Sequence, residues 1–330
     1  MATRAIVQPF DVLKIRFQLQ EEPIYTRISK LQPGKYTGIL QSIRLIFKEE
    51  GVTAFWKGHI PAQGLSAVYG LVQFASFEFL TKRFDLLFNM KTQSEVVDFL
   101  CGAASGCIAT TSAMPLDVIR TRLIAQGEPK IYRGSFHAVT KIWQDEKIYG
   151  FFRGLTPSLV QIAPYVGLQF TSYNIMKKLW DNYLQEHESS GSLVSGVFAG
   201  IFAKIVIYPL DLIRHRLQVN PSIRHGFGTT SLYQGMTRAF MQILKNEKLH
   251  GMFKGLLPSM MKAGLSSGLS FTCYEFILIY SLDIFEGITN TSQLLMPLEL
   301  NSLSHRVHFD FRDLLVRLKR KGFKQLFFFL

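Results

Sequence analysis

Cysteine is scarce in this chain: three in 330 residues, Cys101, Cys107 and Cys273, each within an apolar segment. That excludes a disulfide framework and a thiolate metal site, and leaves them as small core residues. The eight histidines fall at no ligand spacing, so neither a metal nor a cofactor is expected. Acidic residues are few beside basic ones, 24 against 37, for a formal net charge of +13. No basic tract interleaved with aromatics accompanies that excess, so no nucleic-acid partner is expected. No cleavable signal peptide is expected either. Uninterrupted hydrophobic runs of about 20 residues are missing. The stretches 64–79, 160–176 and 264–282 approach that length but carry polar side chains. Hydropathy alone therefore leaves a soluble all-helical repeat protein open.

What is present favours a membrane. Hydrophobic residues make up 48% of the chain, with 28 Phe and a mean hydropathy of +0.15. The basic residues flank the apolar stretches, which fits a protein handling anionic ligands or anionic headgroups. The pairs Gly102/Gly106 and Gly196/Gly200 have the GxxxG spacing suited to close helix contact in lipid.

A threefold repeat organises the sequence. Pro9-Phe-Asp11-Val-Leu-Lys14, Pro115-Leu-Asp117-Val-Ile-Arg120 and Pro209-Leu-Asp211-Leu-Ile-Arg214 share the pattern Pro-x-Asp-x-x-basic. The looser pattern Pro-x-[Asp/Glu]-x-x-[Lys/Arg] would arise about 0.1 times by chance in this composition. Acid and base three residues apart share a helix face, directly after a helix-kinking proline. Three such motifs around an axis make a gate: Lys14 is expected to pair with Asp117, Arg120 with Asp211 and Arg214 with Asp11. Gln18 and Gln218 lie one turn below two of these bases and are expected to brace them, whereas the second repeat has Ile124 there. A second triplicate begins at Glu50, Glu146 and Glu247 and ends in Trp56-Lys57-Gly58, Phe152-Arg153-Gly154 and Phe253-Lys254-Gly255. Each repeat reads as an apolar helix, a polar loop and a second apolar helix, giving six helices in all.

Counting onward from Gly58, Gly154 and Gly255 aligns the second helices. Leu65, Gln161 and Lys262 are equivalent, as are Tyr69, Tyr165 and Ser266, and then Gln73, Gln169 and Ser270. Steps of four follow one face, and polar groups at membrane depth face a bundle interior or a wet cavity. Arg4 and Lys204 each lie seven residues before a gate aspartate, Asp11 and Asp211, with Thr110 in the same place in repeat two. Arg4, Lys204 and Lys262 form a basic floor beneath Tyr69, Tyr165, Gln73, Gln161 and Gln169, which suits an anion carrying a planar ring. Any nucleotide meets that description. The match of Gly264-Leu-Ser266-Ser-Gly268 to a hydrolase nucleophile elbow lacks the strand–turn–helix the elbow requires, so no enzyme is expected.

These residues resemble the mitochondrial carrier family, whose signature is Pro-x-acid-x-x-basic-x-basic followed by acid-Gly-x4-aromatic-basic-Gly. The second basic residue is present as Arg16, Arg122 and Arg216, and the likeness runs from Met1 to about Phe285. Lys147 and Lys248 depart from it, standing where the family prefers glycine. The resemblance implies an all-α, six-helix barrel in the inner mitochondrial membrane that works as a monomer by alternating access. It implies substrate contact points at Leu65, Gln161 and Lys262, and cardiolipin around Lys57-Gly58, Arg153-Gly154 and Lys254-Gly255. It also implies an opposite gate whose one full pair is Glu78 with Lys177, since Asn174, Thr81 and Leu278 break the other pairs. The segments Pro9 to Gln20, Ala54 to Gln63, Ala125 to Lys130 and Tyr208 to Val219 further resemble members that carry thiamine pyrophosphate, with nucleotides as counter-substrate or as the alternative cargo. The expected boundaries are 1–90, 91–187 and 188–285 for the repeats and 286–330 for a divergent tail. Only eight residues precede Pro9, so the first helix is expected to be truncated, and a non-transporting membrane interaction protein is the alternative of another class.

Overall fold

The computed structural model describes residues 2–22, 34–88, 95–183, 188–220, 231–266 and 269. It divides into two units, Met1–Lys262 and Ala263–Leu330. Of the second unit, 263–266 and 269 are described and are helical. Ser270, Gly268, Leu278 and the tail 286–330 lie outside the described residues.

In the first unit each repeat opens on a proline-bearing helix: α1 (Ala2–Leu19), α4 (Glu95–Ala125) and α8 (Glu188–Gln218), with Pro9, Pro115 and Pro209 inside them. The second helices are α3 (His59–Phe88) in repeat one and α6 (Leu155–Val160) followed by α7 (Ile162–Tyr183) in repeat two. In repeat three, residues 256–262 are helical. Among the described residues Phe99–Ala125 and Ser195–Gln218 are long and apolar enough to cross a membrane, at hydropathies of 1.3 and 1.8. The first helix is present over Ala2–Leu19 with its gate motif in place.

The stretches read as polar loops each contain a further helix: α2 (Ile39–Glu50), α5 (Ser135–Phe151) and α9 (Met236–Gly251). Their polarity is one-sided. Ile46 in α2, Ala138 and Ile142 in α5, and Ala239 and Ile243 in α9 form a buried stripe against the neighbouring long helix, the 3.6-residue period of an amphipathic helix. Val12, Ile15, Ile119, Ile124, Ile142 and Val219 share one buried cluster, so all three repeats contribute to a common core.

The repeats interlock in a fixed direction. Gly58, Gly154 and Gly255 have φ near +80°, and a Cβ on each would stand 3.0, 2.9 and 2.9 Å from the carbonyls of Arg120, Arg214 and Lys14. Each repeat thus sets its glycine against the gate base of the next, and the third closes on the first. Of the GxxxG glycines, a Cβ on Gly106 would meet Ile162 at 3.3 Å, whereas Gly102 and Gly200 have nothing within 4 Å. Helix α3 packs along α4, and α7 along α8.

The chain takes a positive φ at the C-cap of α2 and at a kink inside α5 and inside α9: Gly51 at φ 78, ψ −178, Lys147 at φ 56, ψ −149 and Lys248 at φ 59, ψ −170. Only glycine enters that region freely, and another residue costs about 1–3 kcal/mol there. Glycine gives back about 0.5–1 kcal/mol through its freer unfolded chain. Lys147→Gly and Lys248→Gly should therefore each stabilise the protein by about 1 kcal/mol. Thermal unfolding in detergent checks this, and no gain would mean that the strain is relieved elsewhere.

Candidate functional site

The acid and base after each proline lie within the same long helix, α1, α4 or α8. The three aspartates and three bases form a closed, nearly buried ring. Lys14 Nζ lies 2.6 Å from Asp211 Oδ2, Arg120 Nη2 lies 2.5 Å from Asp11 Oδ2, and Arg214 Nη2 lies 2.6 Å from Asp117 Oδ2. The residues are those read from the repeat, but the ring runs the other way. Each base reaches the aspartate of the preceding repeat, not the following one, so the expected pairs Lys14–Asp117, Arg120–Asp211 and Arg214–Asp11 are corrected. Spacing along a helix fixes which face carries a base; the handedness of the helix arrangement fixes which neighbour that face meets. The two glutamine braces are present: Gln18 Nε2 donates to Asp211 at 3.4 Å and Gln218 Nε2 to Asp117 at 2.6 Å.

The pair without a glutamine, Arg120–Asp11, has another partner. Lys262 Nζ lies 2.6 Å from Asp11 Oδ1. Lys204 Nζ stands 3.6 Å from Asp211 Oδ2, and Arg4 Nη1 donates to the Ala62 carbonyl at 2.5 Å. The basic floor is therefore joined to the ring. Lys14, Arg120, Arg214, Arg4, Lys204 and Lys262 outnumber Asp11, Asp117 and Asp211, so the cluster carries positive charge in excess. The side chains of Lys204 and Lys262 keep about a third of their surface open, 34% and 35%. Tyr69, Tyr165, Gln73, Gln161, Gln169 and Leu65 are half-buried on their helices. Tyr69 interacts with Thr110 and lies in the field of Arg214. Gln73 Oε1 is buried with no partner among the described residues, an acceptor left open. Together these groups can hold an anion by its oxygens and a ring by its face.

On the opposite side Glu78 does not meet Lys177. It pairs with Lys82 on its own helix at 2.7 Å, and both side chains are exposed, 62% and 71%. Lys177 has no carboxylate partner among the described residues. The expected Glu78–Lys177 pair is corrected. A base four residues along the same helix lies within reach without any closure of the bundle, and so exposed a pair contributes little.

The structure adds a second, deeper set of ion pairs. Arg16 gives all five N–H groups to acceptors: Glu50 Oε1 and Oε2 at 2.6 and 2.7 Å, the Tyr36 hydroxyl at 3.1 Å, and the carbonyls of Ile124 and Gln126 at 3.2 Å. Arg122 grips Glu146 at 2.6 and 2.9 Å and the Gln218 carbonyl at 2.9 Å. Arg216 grips Glu247, the Tyr233 hydroxyl and the carbonyls of Gln18 and Gln20. Each arginine ties its own repeat's short helix to the last carbonyls of the next repeat's long helix, groups that a helix end leaves unpaired. The signal was in the sequence, since Arg16, Arg122, Arg216 and Glu50, Glu146, Glu247 recur with the repeat. Their pairing was not read.

These carboxylates also take up the basic residues expected at lipid. Lys57 Nζ is 2.6 Å from Glu50, Arg153 Nε is 2.7 Å from Glu146, and Lys254 pairs with Glu247 and donates to the carbonyls of Gln20 and Glu21. Lys254 is 5% exposed, so its ammonium group is internal. What stays accessible beside Gly154 is a cavity of about 340 Å³ lined by Arg153, Gly154, Thr156, Leu217, Tyr233 and Gly235.

Residues 1–86, 91–184 and 185–283 each match the family model described as mitochondrial carrier protein. The chain belongs to the mitochondrial carrier family, a family of multi-pass proteins of the inner membrane. It is 46% identical over 283 residues to proteins of Pongo abelii and Homo sapiens named mitochondrial thiamine pyrophosphate carrier, covering 84% of this chain and 87% of each of theirs. It is 36% identical over 301 residues to a Zea mays protein named mitochondrial thiamine diphosphate carrier 2, covering 83% of this chain and 89% of that one.

Burial opposes ionisation of Glu50, yet the hydrogen bonds and charges of Arg16 and Lys57 outweigh it and hold the carboxyl below its ordinary 4.5. A carboxyl lowered by folding stabilises the fold above its ordinary value, and that contribution is lost as pH falls through the folded value. The solubilised protein should therefore melt earlier on acidification below 4.5. Glu50→Gln should be less stable at neutral pH by about 3–5 kcal/mol, because Arg16 is left buried without its counter-ion, and should lose part of the acid dependence. A Glu50→Gln protein with unchanged stability would show that the link is dispensable.

Proposed function

We propose that this chain imports thiamine pyrophosphate across the inner mitochondrial membrane in exchange for nucleotides, by alternating access, as a transporter and not an enzyme. The observation that carries the reading is the attachment of two cavity lysines, Lys262 and Lys204, to the gate carboxylates Asp11 and Asp211. Phosphate oxygens entering above the ring compete for those ammonium groups. Asp11 and Asp211 then each lose one cation, and the ring, whose pairs attract by about 4 kcal/mol each at an effective dielectric near 20 before desolvation, loosens from its substrate side. Arg4 completes the phosphate site with a planar guanidinium able to bind two oxygens. Gln161, Gln169 and Gln73 serve the edge of the heterocycle. Tyr69 and Tyr165 present ring faces to the thiazolium cation, a contact worth about 0.5–2 kcal/mol. The substrate named for the relatives supports this choice.

The same reading makes the chain a monomer built of repeats 1–90, 91–187 and 188–285 with a separate tail, 286–330. Cardiolipin is its lipid, held beside Lys57-Gly58, Arg153-Gly154 and Lys254-Gly255 by backbone N–H groups at the following helix starts. Arg153 is the basic side chain of the three with the most open surface, 35% against 14% for Lys57 and 4% for Lys254, so the site at Gly154 binds a headgroup most strongly.

Exchange in liposomes tests the function directly. The chain should take up thiamine pyrophosphate against internal nucleotide, and Lys262→Ala should abolish uptake while the protein keeps its melting temperature to within a few degrees. Better competition by nucleotides than by thiamine pyrophosphate would make the nucleotide the cargo, and no exchange of either would leave a membrane interaction protein. Replacing Tyr69 and Tyr165 with leucine should weaken thiamine pyrophosphate exchange more than nucleotide exchange, because a nucleotide brings no ring cation. Equal loss for both substrates would assign the tyrosines to general stacking.

A further inference from the structure

The three repeats differ at one place on the cavity side of the ring. Five residues before each proline stand Arg4, Thr110 and Lys204, so repeat two lacks the base that the other two carry there. The ring shows the consequence. Asp11 is reached by Lys262 and Asp211 by Lys204. Asp117 is held by Arg214 and Gln218, and no second Lys or Arg pairs with it among the described residues. In this third of the cavity a side-chain hydrogen bond joins Thr110 of α4 to the Tyr69 hydroxyl of α3. Thr110 is 9% exposed, and a hydroxyl so buried needs a partner. Cys107 lies three residues before Thr110 on the same helix face; it is a free, half-buried thiol that also interacts with Tyr69. Tyr69, Cys107 and Thr110 thus make an aromatic, weakly polar wall without a base of its own.

We propose that Thr110 sets the cargo preference of the cavity. It leaves this third without a free cation and fixes the Tyr69 ring there, so the cargo's cationic ring lies against Tyr69 while its phosphates go to Lys204 and Lys262. The inference rests on the cargo assigned above and adds the orientation in which that cargo binds. A cationic ring beside Lys204 or Lys262 would meet like charge at close range. Against Tyr69 it meets a π face, and the nearby Arg214 is already paired with Asp117. A nucleoside triphosphate has the opposite needs, since it brings no ring cation and its third phosphate would gain from a third base. Preference is a difference between two affinities. Threonine at 110 acts on both of them, holding the ring that the one cargo uses and withholding the charge that the other would use.

Exchange kinetics in liposomes test this with three variants of the full chain. Thr110→Lys repeats the base that Lys204 supplies in repeat three, and should lower Vmax/KM for thiamine pyrophosphate relative to ATP by about tenfold or more. Thr110→Val keeps the shape and removes the hydroxyl. It should raise KM for thiamine pyrophosphate by about three- to tenfold, with Vmax and the KM for ATP within about twofold of the unchanged protein. Thr110→Ser should restore the original KM. A ratio unmoved by the lysine overturns the proposal, as do equal rises in both KM values with the valine, which carries the test alone if the lysine variant does not fold. Independently of transport, Cys107 in a Cys101→Ala/Cys273→Ala background should be shielded from a methanethiosulfonate reagent by saturating thiamine pyrophosphate, and less by saturating inorganic pyrophosphate. Equal shielding by pyrophosphate places phosphates at this wall, and the orientation falls. A chain that exchanges nucleotides but no thiamine pyrophosphate refutes the assigned cargo and this inference with it, whereas failure of the variants alone leaves that cargo standing.

Discussion

Three buried arginines determine how the rest of this protein assembles. Arg16, Arg122 and Arg216 each hold a carboxylate of their own repeat and the terminal carbonyls of the next repeat's long helix. A helix end buried without partners costs free energy for every open carbonyl, and a guanidinium with five donors in a rigid fork satisfies several at once. Because the third arginine returns to Gln18 and Gln20 of the first repeat, the chain closes on itself. The glycines at 58, 154 and 255 follow the same sense, each against the gate base of the next repeat.

That frame brings the weaker, exchangeable charges together above it. The gate ring is asymmetric in a way that bears on function. Two of its pairs are braced by glutamines that stay in place, whereas the third, Arg120–Asp11, has Ile124 on its own helix where a brace would stand and is joined instead by Lys262 from the cavity. A glutamine brace is indifferent to cargo; a lysine that also faces the cavity is not. Lys204 joins the Lys14–Asp211 pair as well, so cavity lysines reach two of the three joints. On the far side Glu78 pairs with Lys82 on its own helix.

The short helices show the same division between frame and periphery. Their inner stripes contribute to the core, their acidic ends feed the arginines, and their outer stripes remain apolar and open. Lys147 and Lys248 mark the kinks inside two of them, in a backbone conformation that glycine would occupy at less cost.

How much of this was legible in the sequence depends on the range of the interaction. Motif spacing is local, so the threefold repeat, the ring's membership and the two glutamine braces could be read from residues alone. The helices α2, α5 and α9 were also local, but their polar outer residues concealed an amphipathic period. Tertiary structure alone decided which repeat each base would meet, because that depends on the hand in which the helices are arranged, to which spacing is blind. It alone decided that Lys57, Arg153 and Lys254 would turn to carboxylates seven residues before them rather than outward, and that Glu78 would take a partner from its own helix. An ion pair forms with whichever opposite charge is nearest in space, and a sequence gives only the distance along the chain.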